Sequence, residues 1–190
     1  MDTTPDKVLV PLAEGFEETE AVAVIDVLRR AEVEVVVAGL GEGAITGSHG
    51  IAVVPDVALD AVDLASVDAI VLPGGMPGTT NLMDNGRVVE LVRRLAAEGL
   101  PIAAICAAPR VLTTAGVVEG LEVTSHPSVR RLLHGATVVD EPRVVIAQGA
   151  GGGAVVTSQG PGTALEFALE LVRLWVGDEC ADELERAMLV

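Results

Sequence analysis

At 190 residues, 50% of them apolar and 21% charged, the chain is long enough for one globular domain, residues 1–190, with a core of its own. Its 28 acidic against 12 basic side chains leave a net charge of -16, which argues against nucleic acid and anionic membrane as partners, because both attract basic surfaces. Tyrosine is absent and only one Trp and two Phe occur, so the core must be aliphatic, and neither a phenolic acid–base nor an aromatic platform for stacked bases is on offer.

Lys7 is the single lysine, the other basic residues being arginine. With the acidic excess this is the pattern of a surface adapted to high salt, where repulsion between carboxylates is screened within about 3 Å at molar ionic strength. Cys106 and Cys180 lie far apart and form no spaced metal set or disulfide framework, so no metal and no disulfide are expected. The opening residues lack the charged and apolar regions of a leader, and no apolar run approaches the roughly 18 residues needed to span a bilayer. A reducing cytoplasm is the expected location.

In chain order, residues 7–12 (KVLVPL) form a short apolar run of the kind a buried parallel strand shows. A helix follows, with Ala21, Val24, Ile25 and Leu28 as its apolar stripe and Arg29 and Arg30 at its C-terminal end. Residues 32–40 are a second strand, 51–54 a short one, and 69–72 (AIVL) a third buried one, stopped by Pro73, Gly74 and Gly75. An amphipathic helix over 85–98 leads to the strand 100–105 and to Cys106. Beyond it, strands are expected at 121–124, 143–147 and 154–158, with residues 149–153 as a hairpin turn. Gly160, Pro161 and Gly162 then open a helix striped by Ala164, Phe167, Ala168, Leu171, Val172 and Trp175, and an acidic helix over 178–188 ends the chain.

Alternating buried strands and helices predict a doubly wound α/β sandwich with a mostly parallel sheet. Ligands in such folds sit at the carboxyl ends of the strands. The loops at 13–20 and 73–78, Cys106, and His126 after the strand at 121–124 should therefore converge.

Cys106 is placed where an apolar strand gives way to a helix, as in a nucleophile elbow. The small Ala107 and Ala108 would let backbone N–H groups reach a ligand, and the helix dipole should favour thiolate. A buried structural thiol fits the same segment. Stepping back along the first helix's stripe puts Glu17 and Glu20 on the inward face and leaves Glu18 off it. All three also suit the positive helix N-terminus. Glu20 beside a thiolate would be desolvated and repelled, so it should stay protonated and donate to the sulfur. Gly74 and Gly75 offer unobstructed N–H groups for an oxyanion, although glycine-rich strand ends are common as plain turns. No phosphate-binding glycine motif is present. Among the histidines, His126 sits at a strand end fixed by Pro127 and is the candidate partner of Cys106, whereas His134 reads as a surface turn. Cys180, amid four acidic residues, is a poor nucleophile.

The stretches LVPLAEGFEETEAVAVIDVLRRA, VLPGGMPGTTNL, AAICAAPRVL, VTSHP and TSQGPGTALEFAL together resemble the ThiJ/PfpI superfamily, and within it the DJ-one branch that includes protein deglycases. The resemblance implies a flavodoxin-like fold with Cys106 as the reactive cysteine, Glu20 as the protonated carboxyl against it, and His126 as the nearby imidazole. Gly75 and Ala107 are implied as oxyanion donors, and a homodimer as the assembly. Similar peptidase and amidotransferase branches carry His or Gly after the cysteine, where this chain has Ala107, so peptidase activity is not expected. Where the human relative carries an arginine near the site, this chain has His49.

The activities implied are cofactor-free glyoxalase (glyoxalase III type) or deglycase chemistry on methylglyoxal, glyoxal or their adducts on protein side chains. An oxidative-stress sensor or holdase using Cys106 sulfinate is the alternative. A thiolate adds readily to an α-oxoaldehyde, and Glu20 or His126 could then move a proton from C1 to C2.

Overall fold

The structure, a computed structural model, describes residues 4–190. The elements, in chain order, are β1 (Val8–Leu12), α1 (Glu18–Arg30), β2 (Val35–Gly39), β3 (Ile45–Thr46), β4 (Ala52–Val53), β5 (Val57–Ala58), β6 (Ala69–Leu72), α2 (Gly78–Asp84), α3 (Gly86–Glu98), β7 (Ile102–Ile105), α4 (Pro109–Ala115), β8 (Glu122–Val123), β9 (Thr137–Val138), β10 (Val144–Gln148), β11 (Ala154–Ser158), α5 (Ala164–Trp175) and α6 (Asp178–Met188). Seven strands form one sheet in the order β10-β11-β7-β6-β1-β2-β5. Every pairing in it is parallel except that of β10 with β11.

Alternation along the buried strands divides two cores. Val8, Val10 and Leu12 of β1, Val71 of β6 and Ala103 and Ile105 of β7 face α1 and α5, where they meet Val24, Leu28, Phe167 and Val172. Leu9, Ile70, Leu72, Ile102 and Ala104 point the other way, onto Leu82, Val88, Leu95, Val111 and Leu112 of α2, α3 and α4. Because both faces are covered, the central strands read as continuous apolar runs. Each fully buried aliphatic side chain of this kind contributes about 1.5–3 kcal/mol.

Several expected elements have different limits. The second strand starts at Val35 instead of residue 32, because Glu32 takes a left-handed φ of 60° in the turn after α1. Residues 51–54 yield only β4, paired with β3 in a small hairpin outside the main sheet. The strand expected at 121–124 is β8, paired in parallel with β9 in a separate two-stranded sheet. The turn at 149–153 joins β10 to β11, as the glycines suggested.

Chain order reverses between β1 and β6: β2 lies on one side of β1, whereas β6 and β7 continue on the other. A crevice opens at such a switch point beyond the carboxyl ends of the strands. The loops after β1 and β6 flank it, and Cys106 follows the next strand over.

Candidate active site

Cys106 follows the fully buried β7 directly and takes φ 63°, one of three non-glycine residues with positive φ among those described. A side chain held there costs about 1–3 kcal/mol, so the surroundings must impose it. Backbone bonds do so from both sides: the Cys106 N–H donates to the Ser158 carbonyl of β11 at 2.9 Å, and its carbonyl accepts the His126 N–H at 2.9 Å. Ala107 and Ala108 are buried behind it, and Pro109 opens α4. This is the elbow that the sequence suggested.

Glu20 reaches the same point from α1. Its side chain is fully buried, and Oε2 accepts the Gly74 N–H at 2.8 Å. Oε1 is buried with no N–H or O–H partner, and the carboxyl's remaining contact is the Cys106 thiol. A Cβ on Gly74 would lie 2.7 Å from Cys106 Cβ and 2.8 Å from Glu20 Oε2, so the loop can pass between thiol and carboxyl only as glycine. Gly75, at φ 90°, would drive a Cβ into the backbone of residues 15–17. Its N–H and that of Ala107 point at the Cys106 sulfur.

The electrostatics belong to the pair. Burial pushes Glu20 up to about 7, opposed by its bonds to Cys106 and Gly74 and reinforced by the charge on Glu17. Burial, then the charge of Glu20 and its hydrogen bond, pushes the Cys106 thiol up to about 12 against the N–H groups of Gly75 and Ala107. The helix dipole therefore does not win by itself: α4 has only seven residues, and the thiol beside a charged Glu20 is raised, contrary to the sequence expectation of a dipole-favoured thiolate. Thiol and carboxyl instead titrate as a pair, which gains its single negative charge near pH 7 and keeps only one up to about 12. On the carboxylate, that charge is met by the Gly74 N–H and the S–H; on sulfur, by two N–H groups and the Glu20 O–H.

His126 is exposed, and its Nδ1 lies 2.7 Å from Ser128 Oγ and accepts the Ser128 N–H at 3.3 Å. That arrangement puts the proton of a neutral ring on Nε2, so the imidazole presents a donor. The ring edge lies beside Gly160, whose Cβ position is 3.6 Å from His126 Cδ2. Ser128 was not singled out from the sequence, although a hydroxyl two residues after His126 is a local side-chain partner.

Glu17 lies one step outward. It is the N-cap of α1, with Oε2 accepting the Glu20 N–H at 2.7 Å and its own N–H donating to the Gly74 carbonyl at 2.9 Å. It thus fixes the carboxyl and the glycine loop relative to one another. Glu18, off the sheet-facing stripe, is nevertheless buried, at 4% exposed. Its carboxylate accepts the His49 and Ile51 N–H groups, at 2.6 and 3.3 Å, and pairs with His49 Nδ1 at 2.9 Å. Burial raises Glu18, but these bonds more than offset it and hold the carboxyl at about 2. His49 is raised by the same bond. Ligand atoms of Glu17, Glu18 and His49 lie within 4.8 Å of one another, but Glu18 is already saturated by donors from the β3–β4 hairpin. Cys180 lies on α6, away from the site, and its thiol is raised by burial and by Glu183 and Glu32.

A thiol, a carboxyl that shares its proton and two converging N–H groups can add sulfur to a carbonyl, stabilise the resulting oxyanion and relay protons, while His126 joins them through its backbone N–H on the Cys106 carbonyl, its ring being turned to Ser128.

Known proteins share this framework. The sequence profile of the DJ-1/PfpI family matches residues 6–174. Protein dj-1beta of Drosophila melanogaster is 41% identical over 184 residues, covering 96% of each chain. The glutathione-independent glyoxalase DJR-1.2 of Caenorhabditis elegans is 37% identical over 178 residues, 93% of this chain and 91% of the other. The crystal structure of Drosophila DJ-1beta superposes with a TM-score of 0.90 over 97% of this chain and 98% of its own. Oxidized DJ-1 of Toxoplasma gondii, 37% identical, superposes at 0.87 over 96% and 97%. Among the described residues no helix is long and apolar enough to cross a membrane. With a profile match over most of its length and whole-chain relatives at about 40% identity, the chain belongs to the DJ-1/PfpI family.

Proposed function

We propose that the chain is a cofactor-independent glyoxalase or deglycase, acting through Cys106 on methylglyoxal, glyoxal or their adducts on protein side chains. The observation that carries this reading is the buried pair of Cys106 and Glu20, with Oε1 free of N–H and O–H donors and two backbone N–H groups on the sulfur. The similarity to the glutathione-independent glyoxalase of Caenorhabditis elegans supports it.

In the proposed cycle, the thiolate adds to the aldehyde carbon of methylglyoxal, and the Glu20 proton passes to the new oxyanion, giving a neutral hemithioacetal. Carboxylate Glu20 then removes the C1 proton, and the C1–H electron pair forms the C1–C2 double bond of an enediol. Nε2–H of His126 protonates the C2 oxygen. Glu20 returns its proton to C2 while the C1 hydroxyl proton passes back to Nε2 of His126, giving a lactoyl thioester on Cys106, which water hydrolyses to lactate and free thiol. One carbon is oxidised and its neighbour reduced, so no external electron acceptor is needed. The N–H groups of Gly75 and Ala107, with that of Gly74 anchoring Glu20, serve as the preorganised donors.

Incubating the purified protein with methylglyoxal and measuring lactate tests this. Turnover by wild type and none by Cys106→Ala is expected, and equal rates for the two would refute the enzymatic reading. The second reading, an oxidation sensor, is favoured by the same orphan oxygen, since a protonated Glu20 can donate a short bond to a sulfinate oxygen on Cys106. It expects mild peroxide to add two oxygens to Cys106, and mass spectrometry showing oxidation of Cys180 alone would remove it. We further propose a cytoplasmic homodimer, supported by the exposed Val22, Ile51 and Val54. A sedimentation mass of one chain would refute the dimer.

A further inference from the structure

We propose that Arg110 makes the Cys106 site selective for carbonyl substrates that carry a negative charge. The inference rests on the dicarbonyl reading for its substrate class and on independent observations for its electrostatics. Arg110 lies in the first turn of α4, four positions after Cys106, and its N–H donates to the Ala107 carbonyl at 3.2 Å. Its guanidinium extends across to the loop after β6, where Nη1 lies 3.9 Å from Met76 Sδ. Met76 is the residue next to Gly75, whose N–H bonds the Cys106 sulfur, and it is 50% exposed. The cation thus spans the two elements that frame the thiol, α4 and the loop after β6, beside the half-exposed Met76.

The contact with Met76 positions the guanidinium without neutralising it, since a thioether is a weak acceptor with no charge. Most arginines here are claimed by carboxylates, Arg29 by Asp56 and Arg173 by Asp182 among them. Arg110 makes no ion pair among the described residues, in a chain whose net charge of -16 supplies carboxylates in excess. A cation without an ion pair between the two elements that frame the nucleophile, on a protein whose overall field repels anions, is placed to recognise an anionic group on a substrate held at Cys106. A planar guanidinium with several donors suits a carboxylate or phosphate. The ligand class is therefore an α-oxoaldehyde bearing such a group, in preference to neutral methylglyoxal.

Two measurements test this. The first is alkylation of Cys106 by iodoacetate and by iodoacetamide, followed by mass spectrometry, in wild type, Arg110→Gln and Arg110→Lys, with melting curves to establish folding. The ratio of the two rates cancels changes in thiol reactivity and reports the field at the sulfur. It is expected to fall about fivefold in Arg110→Gln, the effect of one partly screened unit charge at the pocket mouth, and to be kept in Arg110→Lys. An unchanged ratio in Arg110→Gln overturns the assignment. The second is the ratio of kcat/KM for 4,5-dioxovalerate to that for methylglyoxal, which should fall by a similar factor in Arg110→Gln. Equal ratios in a protein that turns over methylglyoxal would overturn the substrate preference. Failure of wild type to turn over either compound would sink the dicarbonyl reading, while the alkylation ratio would still decide the role of Arg110.

Discussion

Replacing Glu20 by Gln keeps an acceptor for the Gly74 N–H and removes the proton that carboxyl and thiol share. In wild type the pair loses its first proton near 7 and the second only near 12, so at pH 7 about half of the molecules carry one negative charge split between oxygen and sulfur. With Gln, sulfur must ionise alone. It is freed from the charge of Glu20 but remains buried, which puts its single step between those two values. Each pH unit by which that step moves up lowers the thiolate population at pH 7 by about tenfold. The assay is the rate of Cys106 alkylation by iodoacetamide from pH 5 to 10. The wild-type midpoint should lie near 7 and the variant's should be displaced upward, with about a tenfold slower rate at pH 7. Stability should move the opposite way. The folded carboxyl holds its proton up to about 7 while the unfolded one releases it near 4.5, so the folded state loses stability as pH rises between those values, by about 3 kcal/mol at most. Glu20→Gln abolishes that loss and should melt several degrees higher than wild type at pH 8 but not at pH 4. Coincident alkylation profiles, together with an unchanged pH dependence of melting, would refute the coupling.

Glu18 has the opposite sign. Its carboxyl is held at about 2, so it contributes stability above the unfolded value of 4.5 that is lost as pH falls through 2. Glu18→Gln should lower stability by about 2–3 kcal/mol at pH 7 in denaturant melts, with the gap to wild type closing toward pH 2. Gly75→Ala forces a Cβ into the backbone of residues 15–17 at φ 90°; about 2 kcal/mol of destabilisation is expected, together with slowed alkylation of Cys106 as its N–H leaves the sulfur. The acidic excess should make the melting temperature rise between low and molar KCl, and an indifferent melting temperature would count against salt adaptation.

Most of the sheet was legible because its strands are buried on both faces: VLVPL, AIVL and IAAI announce themselves as unbroken apolar runs between turn residues. What was not legible depends on short pieces. β3, β5 and β9 are two residues each, too short for any period to register, and α2 escapes the sequence pattern because seven residues after a glycine-rich turn carry only two turns of helix. Glu18 falls off the stripe because helical periodicity sees only the sheet side of α1. The β3–β4 hairpin, distant in sequence, folds over the other flank and buries it through the His49 and Ile51 N–H groups.

The thiol was misjudged for a related reason. A strand-to-helix junction is visible in sequence, as are the dipole of the helix that follows and, from the stripe of α1, Glu20 on the inward face; how far burial of the pair outweighs that dipole is not. Glu20 meets Cys106 only because β1 and β7 stand on either side of β6, which brings the start of α1 over the loop at Gly74. Once they meet, desolvation of both groups outweighs a dipole from two turns of helix, and the reactive state is set by one shared proton instead of by α4. The positive φ of Cys106 serves the same end. It turns the sulfur toward the carboxyl and the Gly75 and Ala107 N–H groups, and the bonds to Ser158 and His126 on either side hold that geometry while the proton moves.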